Sequence, residues 1–184
     1  MRRGFTLLEI ILVMAIIVIL AALTYPSLES LYGYYHLQGA ADTLRGSWSE
    51  ARTRAMEEGR AYRFSVVYGK GNFRVAPDSA DYWAGDTPAP ADTNNPPLVL
   101  SDALPKPIRF YRAGSPPEET DANSALPSDS IGMNQWSTLA VFLPDGTARD
   151  DAETTLAEPG TRPLVVRLRG LTGGVSVRRL EENR

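Results

Sequence analysis

From Phe5 to Tyr25 the chain reads FTLLEIILVMAIIVILAALTY, in which the only polar side chains are Thr6, Glu9, Thr24 and the Tyr25 hydroxyl. These 21 residues, at about 1.5 Å each, make a helix of roughly 30 Å, the hydrocarbon thickness of a bilayer. A membrane span is therefore expected at the amino terminus. Arg2 and Arg3 precede it with no acid beside them, so the positive-inside rule puts the amino terminus in the cytoplasm and the rest of the chain outside. A secretory signal would have a shorter apolar core followed by small residues at a cleavage site. Here the run continues through Pro26 into helical sequence. Glu9 is the anomaly, because a carboxylate inside hydrocarbon costs about 2.5–3.5 kcal/mol even on lenient scales. It either has a partner or function there, or it snorkels to the interface one turn away.

The remainder of the 184 residues has room for one ordinary domain. With no cysteine, thiolate nucleophiles, thiolate zinc sites, iron–sulfur clusters and disulfides are excluded. His36 is the single histidine, too few for a multi-histidine metal site. Charge is distributed unevenly. Residues 1–77 carry nine Lys/Arg against six Asp/Glu, residues 78–158 four against fourteen, and residues 159–184 six against two. The acidic middle argues against a nucleic-acid binder over the whole surface, while the basic tail leaves room for a local patch.

Beyond Pro26, residues Leu37, Ala41, Leu44, Trp48, Ala51 and Ala55 recur at steps of three and four, which predicts a helix with one apolar stripe over 27–58. Leu28, Leu31 and Tyr35 are expected to start that stripe, Gly33 and Gly39 to weaken the helix, and Gly59 to cap it. After Gly59 the period changes to two. Tyr62, Phe64, Val66 and Tyr68 alternate with Arg63, Ser65 and Val67, and Gly69-Lys70-Gly71 turns into Asn72–Ala76, a hairpin pattern. Further strands are expected at Pro97–Leu100, Ile108–Arg112, Thr138–Leu143, Leu164–Arg169 and Gly174–Leu180. Residues 77–107 hold seven of the 14 prolines, and 113–135 are rich in Ser, Pro, Asp and Glu, so both read as long acidic surface loops. The expected class is α+β, a long amino-terminal helix packed on a β-rich head spanning 59–184.

The string Arg3-Gly4-Phe5-Thr6-Leu7-Leu8-Glu9, followed by about twenty apolar residues and by Pro26, resembles the class III signal of type IV pilins and type II secretion pseudopilins. Three more segments resemble the GspH/FimT type of minor pseudopilin. They are the helix string Leu44, Ala51-Arg52, Ala55-Met56 and Gly59; the turn Val141–Gly146 containing Pro144-Asp145-Gly146; and the terminal run Val166–Val177 with Thr172-Gly173-Gly174. The resemblance implies that residues 1–4 are a leader cut after Gly4 by prepilin peptidase, and that Phe5 is then N-methylated. It implies that residues 5–26 are first a membrane anchor and later a filament core, with Glu9 and Pro26 serving assembly and Glu9 pairing with the ammonium of a neighbouring subunit. The implied partners are other pseudopilins and an inner-membrane assembly platform, and the implied place is the bacterial inner membrane with a periplasmic head.

Motifs of enzymatic chemistry are missing from the sequence: it has no Gly-x-Ser-x-Gly elbow, P-loop or dinucleotide fingerprint. No enzyme, cofactor or metal is expected. The carboxylate pairs Glu118-Glu119, Asp150-Asp151 and Glu181-Glu182 lie in loops or the tail, where solvated charge explains them. Asp145, Asp150, Asp151 and Glu153 follow a turn but miss the spacing of an EF-hand calcium loop. Arg167, Arg169, Arg178 and Arg179 fall on two adjacent predicted strands that a hairpin would bring together. Three readings stand for them: solvated or internally paired strand faces, a protein interface, or a phosphate-binding patch such as a FimT-like DNA-uptake pilin would use.

Overall fold

The computed structural model describes residues 7–83, 97–113 and 136–180, without the side chains of 23–31. One helix, α1, runs from Leu7 to Glu58, unbroken through Gly33 and Gly39. It stops where expected, at Gly59, whose positive φ of 64° supplies the left-handed residue that ends a helix without a Cβ clash. Eight strands and a helical turn follow: β1 (Tyr62–Val66), β2 (Asn72–Pro77), α2 (Ala80–Trp83), β3 (Leu100–Ala103), β4 (Arg109–Arg112), β5 (Ser137–Phe142), β6 (Ala152–Ala157), β7 (Leu164–Arg169) and β8 (Gly174–Arg179). The protein is α+β.

The strands form two antiparallel sheets, ordered β3-β2-β1-β5 and β4-β6-β7-β8. Backbone bonds sew them together. Gly69 N–H donates to Phe110 O at 2.8 Å, and Phe110 N–H donates to Lys70 O at 2.9 Å, so the β1–β2 turn is tied to β4. At the other end Ala148 N–H donates to Gly170 O at 2.7 Å and Arg149 N–H to Val141 O at 2.8 Å.

The core lies between the carboxyl-terminal half of α1 and the two sheets. Leu37, Ala41, Leu44, Trp48, Ala51 and Ala55 are all buried, as the stripe predicts. Small alanines let the helix approach the sheets, and large rings fill the interior. Trp48 meets Phe64 edge-on at 5.9 Å, Phe64 stacks on Phe73 at 5.4 Å, and Phe73 meets Phe110 edge-on at 6.5 Å. This chain of rings joins α1, β1, β2 and β4 through contacts that add to simple area burial.

Tyr35 departs from the expected stripe. It is 69% exposed, whereas Tyr34 is the tyrosine turned toward the head, with the Arg179 guanidinium 4.2 Å over its ring. Leu28 and Leu31 lie among the residues whose side chains are not described. Ser65 of β1 and Val67 just beyond it are buried along with Tyr62, Phe64 and Val66, because the outer face of this sheet is also covered. There the Trp83 ring of α2 lies 5.0 Å from the Arg63 guanidinium and 5.4 Å from that of Arg74, and Arg63 and Arg149 both bond Asp78.

Segment 77–107 contributes α2 and β3, the latter starting at Leu100 instead of ending there. Strand β6, AETTLA, carries no alternating apolar pattern, yet it sits in the middle of its sheet with Thr154 and Thr155 buried. The Thr154 hydroxyl donates to Tyr111 O at 3.0 Å, which satisfies one of the two buried threonines, while Thr155 Oγ1 is buried without a partner. Residues 84–96 and 114–135 lie outside the described residues.

Candidate functional site

Two regions carry the functional expectations: the amino-terminal part of α1 and the β7–β8 hairpin. In the first, Leu7 to Leu20 has every large apolar side chain exposed, from 46% at Val13 to 78% at Leu7. Among the described residues no element of the head covers them. An apolar surface of this extent marks lipid or a protein partner. The described apolar stretch, Leu7–Ala22, is 16 residues long, and among the described residues no helix is long and apolar enough to cross a membrane. Phe5 and the residues after Ala22 that complete the sequence-level span fall outside that description, as do Gly4 and the Pro26 side chain. Glu9 stands on the first turn of α1 and its side chain is exposed.

The hairpin divides the four arginines. Residues paired across adjacent strands share a face. Arg167 lies opposite Ser176 and also opposite Glu153 of β6, and Arg178 lies opposite Val165. Arg167, Arg169 and Arg178 therefore point away from the core, whereas Arg179, opposite the buried Leu164, points toward α1 and stacks on Tyr34. The outward group is interlaced with acids. Arg167 Nη2 is 3.3 Å from Asp151 Oδ2, and Arg178 Nη2 is 3.5 Å from Glu153 Oε1. Asp151 also accepts from the Gly170 N–H at 2.8 Å, and this bond, followed by the neighbouring Arg167, holds its carboxyl below the usual carboxylate range.

In the loop after β5, Asp145 is engaged locally. Asp145 accepts from both the N–H and the hydroxyl of Thr147, at 2.9 and 2.7 Å, which lowers its pKa. Among the described residues no three His, Cys, Asp or Glu side chains group as a metal site. His36 Nδ1 is 3.2 Å from Glu158 Oε2, tying α1 to the end of β6 rather than standing near a nucleophile.

Sequence reading missed Arg52 as a structural centre. Its Nε–H donates to Gly146 O at 2.6 Å, and its guanidinium lies against Gly173, so the helix string, the Pro144-Asp145-Gly146 turn and the Thr172-Gly173-Gly174 loop meet at one side chain. The signal was present as three separated motifs, but their meeting is tertiary. Beside them α1 and β8 enclose a cleft of about 70 Å³.

Residues 1–25 match the prokaryotic N-terminal methylation motif. None of the curated proteins matches the chain in sequence. Among solved structures the chain is similar to two of the minor pseudopilin EpsH from the type II secretion system of Vibrio cholerae. One match has 11% identity and a TM-score of 0.48, covering 78% of this chain and 97% of that one. The other has 14% identity and a TM-score of 0.45, covering 81% and 97%. In its first 25 residues the chain resembles proteins that carry the prokaryotic N-terminal methylation motif.

Proposed function

We propose that this chain is a non-enzymatic minor pseudopilin of a type II secretion pseudopilus. The observation that carries the reading is the methylation motif on residues 1–25 leading directly into a single helix, uncovered and apolar at its start and buried in the head at its end. Such a helix couples an anchor to a cargo-facing domain without a hinge of its own. On this reading prepilin peptidase cuts between Gly4 and Phe5, and Phe5 is N-methylated. The apolar segment holds the subunit in the inner membrane, amino terminus cytoplasmic and head periplasmic, until an assembly platform draws it into a filament with other pseudopilins. There Glu9 pairs with the Phe5 ammonium of a neighbour, so that each ion neutralises the other in an apolar setting. The subunit joins near the filament tip and helps to initiate assembly and export.

Intact-mass analysis of the protein purified from membranes tests this. The expected chain lacks four of its 184 residues and carries one methyl group on Phe5, while Gly4→Val stays at full length. A mature terminus near residue 26 would mean ordinary signal peptidase and would end the pseudopilin reading.

A further inference from the structure

Strand β8 is the last of its sheet, and among the described residues nothing pairs with its outer edge. Edge strands are normally blunted by prolines, inward-pointing charges or a covering element. Strand β8, GVSVRR, has no proline; Arg178 and the inward-turned Arg179 blunt its carboxyl-terminal end, which leaves Gly174–Val177 as the open stretch, with Val175 and Val177 half-buried on the side that faces α1. The turn leading into it presents Leu171, 84% exposed.

The cleft between β8 and α1 has a matching chemistry. It is lined by Arg45, Trp48, Ser49 and Arg52 from the helix and by Leu168 and Val175 from the sheet, with no acid among its walls. Its polar groups are chiefly donors. Trp48 is 1% exposed and its indole Nε1 has no acceptor; Arg45 Nε is also buried without a partner, although Arg45 Nη1 lies 3.4 Å from Asp42 Oδ1. Buried N–H groups left unpaired are destabilising, so a cleft whose two unpaired donors are the Trp48 indole and the Arg45 Nε, with the Arg52 guanidinium beside them, is complementary to an anionic acceptor.

We propose that this cleft is a docking site for an extended, acidic segment of a partner protein, which adds as a further strand to the β8 edge and sets an aspartate or glutamate carboxylate against Arg45, Arg52 and the Trp48 indole. Strand addition supplies affinity through main-chain bonds, and side chains alternate, so every second residue of the incoming strand faces α1. The acid then lies level with Val175, and the residue two positions along, level with Val177, is apolar. This goes beyond the assembly reading and does not depend on it.

The test uses the full chain in detergent micelles with its three tryptophans labelled at the indole nitrogen and assigned by Trp→Phe variants. The probe is the peptide acetyl-Thr-Glu-Thr-Val-Thr-amide, with its Glu→Gln counterpart as control. Saturable shifts are expected at the Trp48 indole and at the amides of β8, with affinity at least tenfold above that of the Gln peptide. Arg45→Gln, which leaves the packed ring of Trp48 in place, should lower the affinity about tenfold without changing the melting profile. Equal binding of the Glu and Gln peptides, or shifts at neither place, overturns the proposal. So does an equal response to sodium acetate alone, which would mean a simple anion hole. Displacement of the Trp48 signal by rising protein concentration without peptide would identify a second copy as the occupant, and displacement by a thymidine oligonucleotide would identify nucleic acid.

Discussion

Arg52, on the last turns of α1, donates its Nε–H to the carbonyl oxygen of Gly146 across 2.6 Å, joining residues 94 apart in sequence. The Gly146 carbonyl is available because its residue sits at φ +83°, in a turn where Gly146 N–H donates to Leu143 O and the peptide faces the helix. On the other side of the guanidinium is Gly173, at φ +66°. A Cβ added there would lie 2.5 Å from Arg52 Nη1. The arginine is thus held between two glycine turns, one between β5 and β6 and the other between β7 and β8.

Gly173→Ala is therefore expected to be destabilising twice over, once through its left-handed backbone, at about 1–2 kcal/mol, and again by displacing the Arg52 guanidinium. Gly59→Ala isolates the first effect, since its φ is +64° with nothing near the added methyl. Denaturant titration of both variants, alone and with Arg52→Ala, should show Gly173→Ala as the costlier of the two only while Arg52 is present.

Trp48→Ala should cost about 3–5 kcal/mol, since the ring is 1% exposed and anchors the aromatic chain to Phe64. Equilibrium unfolding of the head, residues 27 onward, checks this and checks that the head folds without the anchor. A cost below about 1 kcal/mol would mean that the site collapses around the loss.

Alkaline stability should depend on Tyr62. Its hydroxyl donates to Glu58 Oε2 at 2.7 Å and accepts from Leu98 N–H at 3.0 Å, and burial, reinforced by Glu58, pushes its pKa from 10.0 to about 12. The folded state keeps a proton that the unfolded state releases, so the stabilisation is full below pH 10.0 and lost as pH rises toward about 12. The expected slope approaches 1.4 kcal/mol per pH unit in that window. Tyr62→Phe should remove that slope and, by leaving Leu98 N–H without its acceptor and Glu58 Oε2 with Arg60 alone at 3.2 Å, cost about 1–3 kcal/mol at neutral pH.

Changing Arg167, Arg169, Arg178 and Arg179 together to Gln tests the nucleic-acid alternative. Arg167 and Arg178 already face Asp151 and Glu153, and Arg179 is turned onto Tyr34. The parent protein should therefore show no DNA affinity that falls steeply with salt, and the variant should behave alike. A salt-sensitive affinity lost in the variant would favour DNA uptake over secretion. Because exposed ion pairs contribute little, Arg167→Gln alone should change stability by less than about 1 kcal/mol.

The sequence alone determined the elements whose cause is local. An apolar run with a charged leader, a stripe at steps of three and four, and a glycine past its end specify α1 to within a residue of Glu58. Alternating rings and glycine turns specify β1, β2, β7 and β8 nearly as closely. Their signals lie within one turn or one hairpin of the residues they govern. What only the tertiary structure decided involves partners far apart in sequence. Strand β6 has no pattern of its own and exists because β4 and β7 flank it and Tyr111 O receives its threonine. The sequence left the four arginines of the hairpin open as solvated or paired strand faces, a protein interface or a phosphate patch; strand register sends Arg179 to the helix and places Glu153 beside Arg167 and Arg178. The pairing of strands sets which side of a sheet a residue occupies, and a shift of one position reverses it. Composition cannot encode that choice. It arises when α1 and both sheets close on a single core, and the same closure brings Arg52 to Gly146 and leaves Trp48 with an unpaired N–H at the β8 edge.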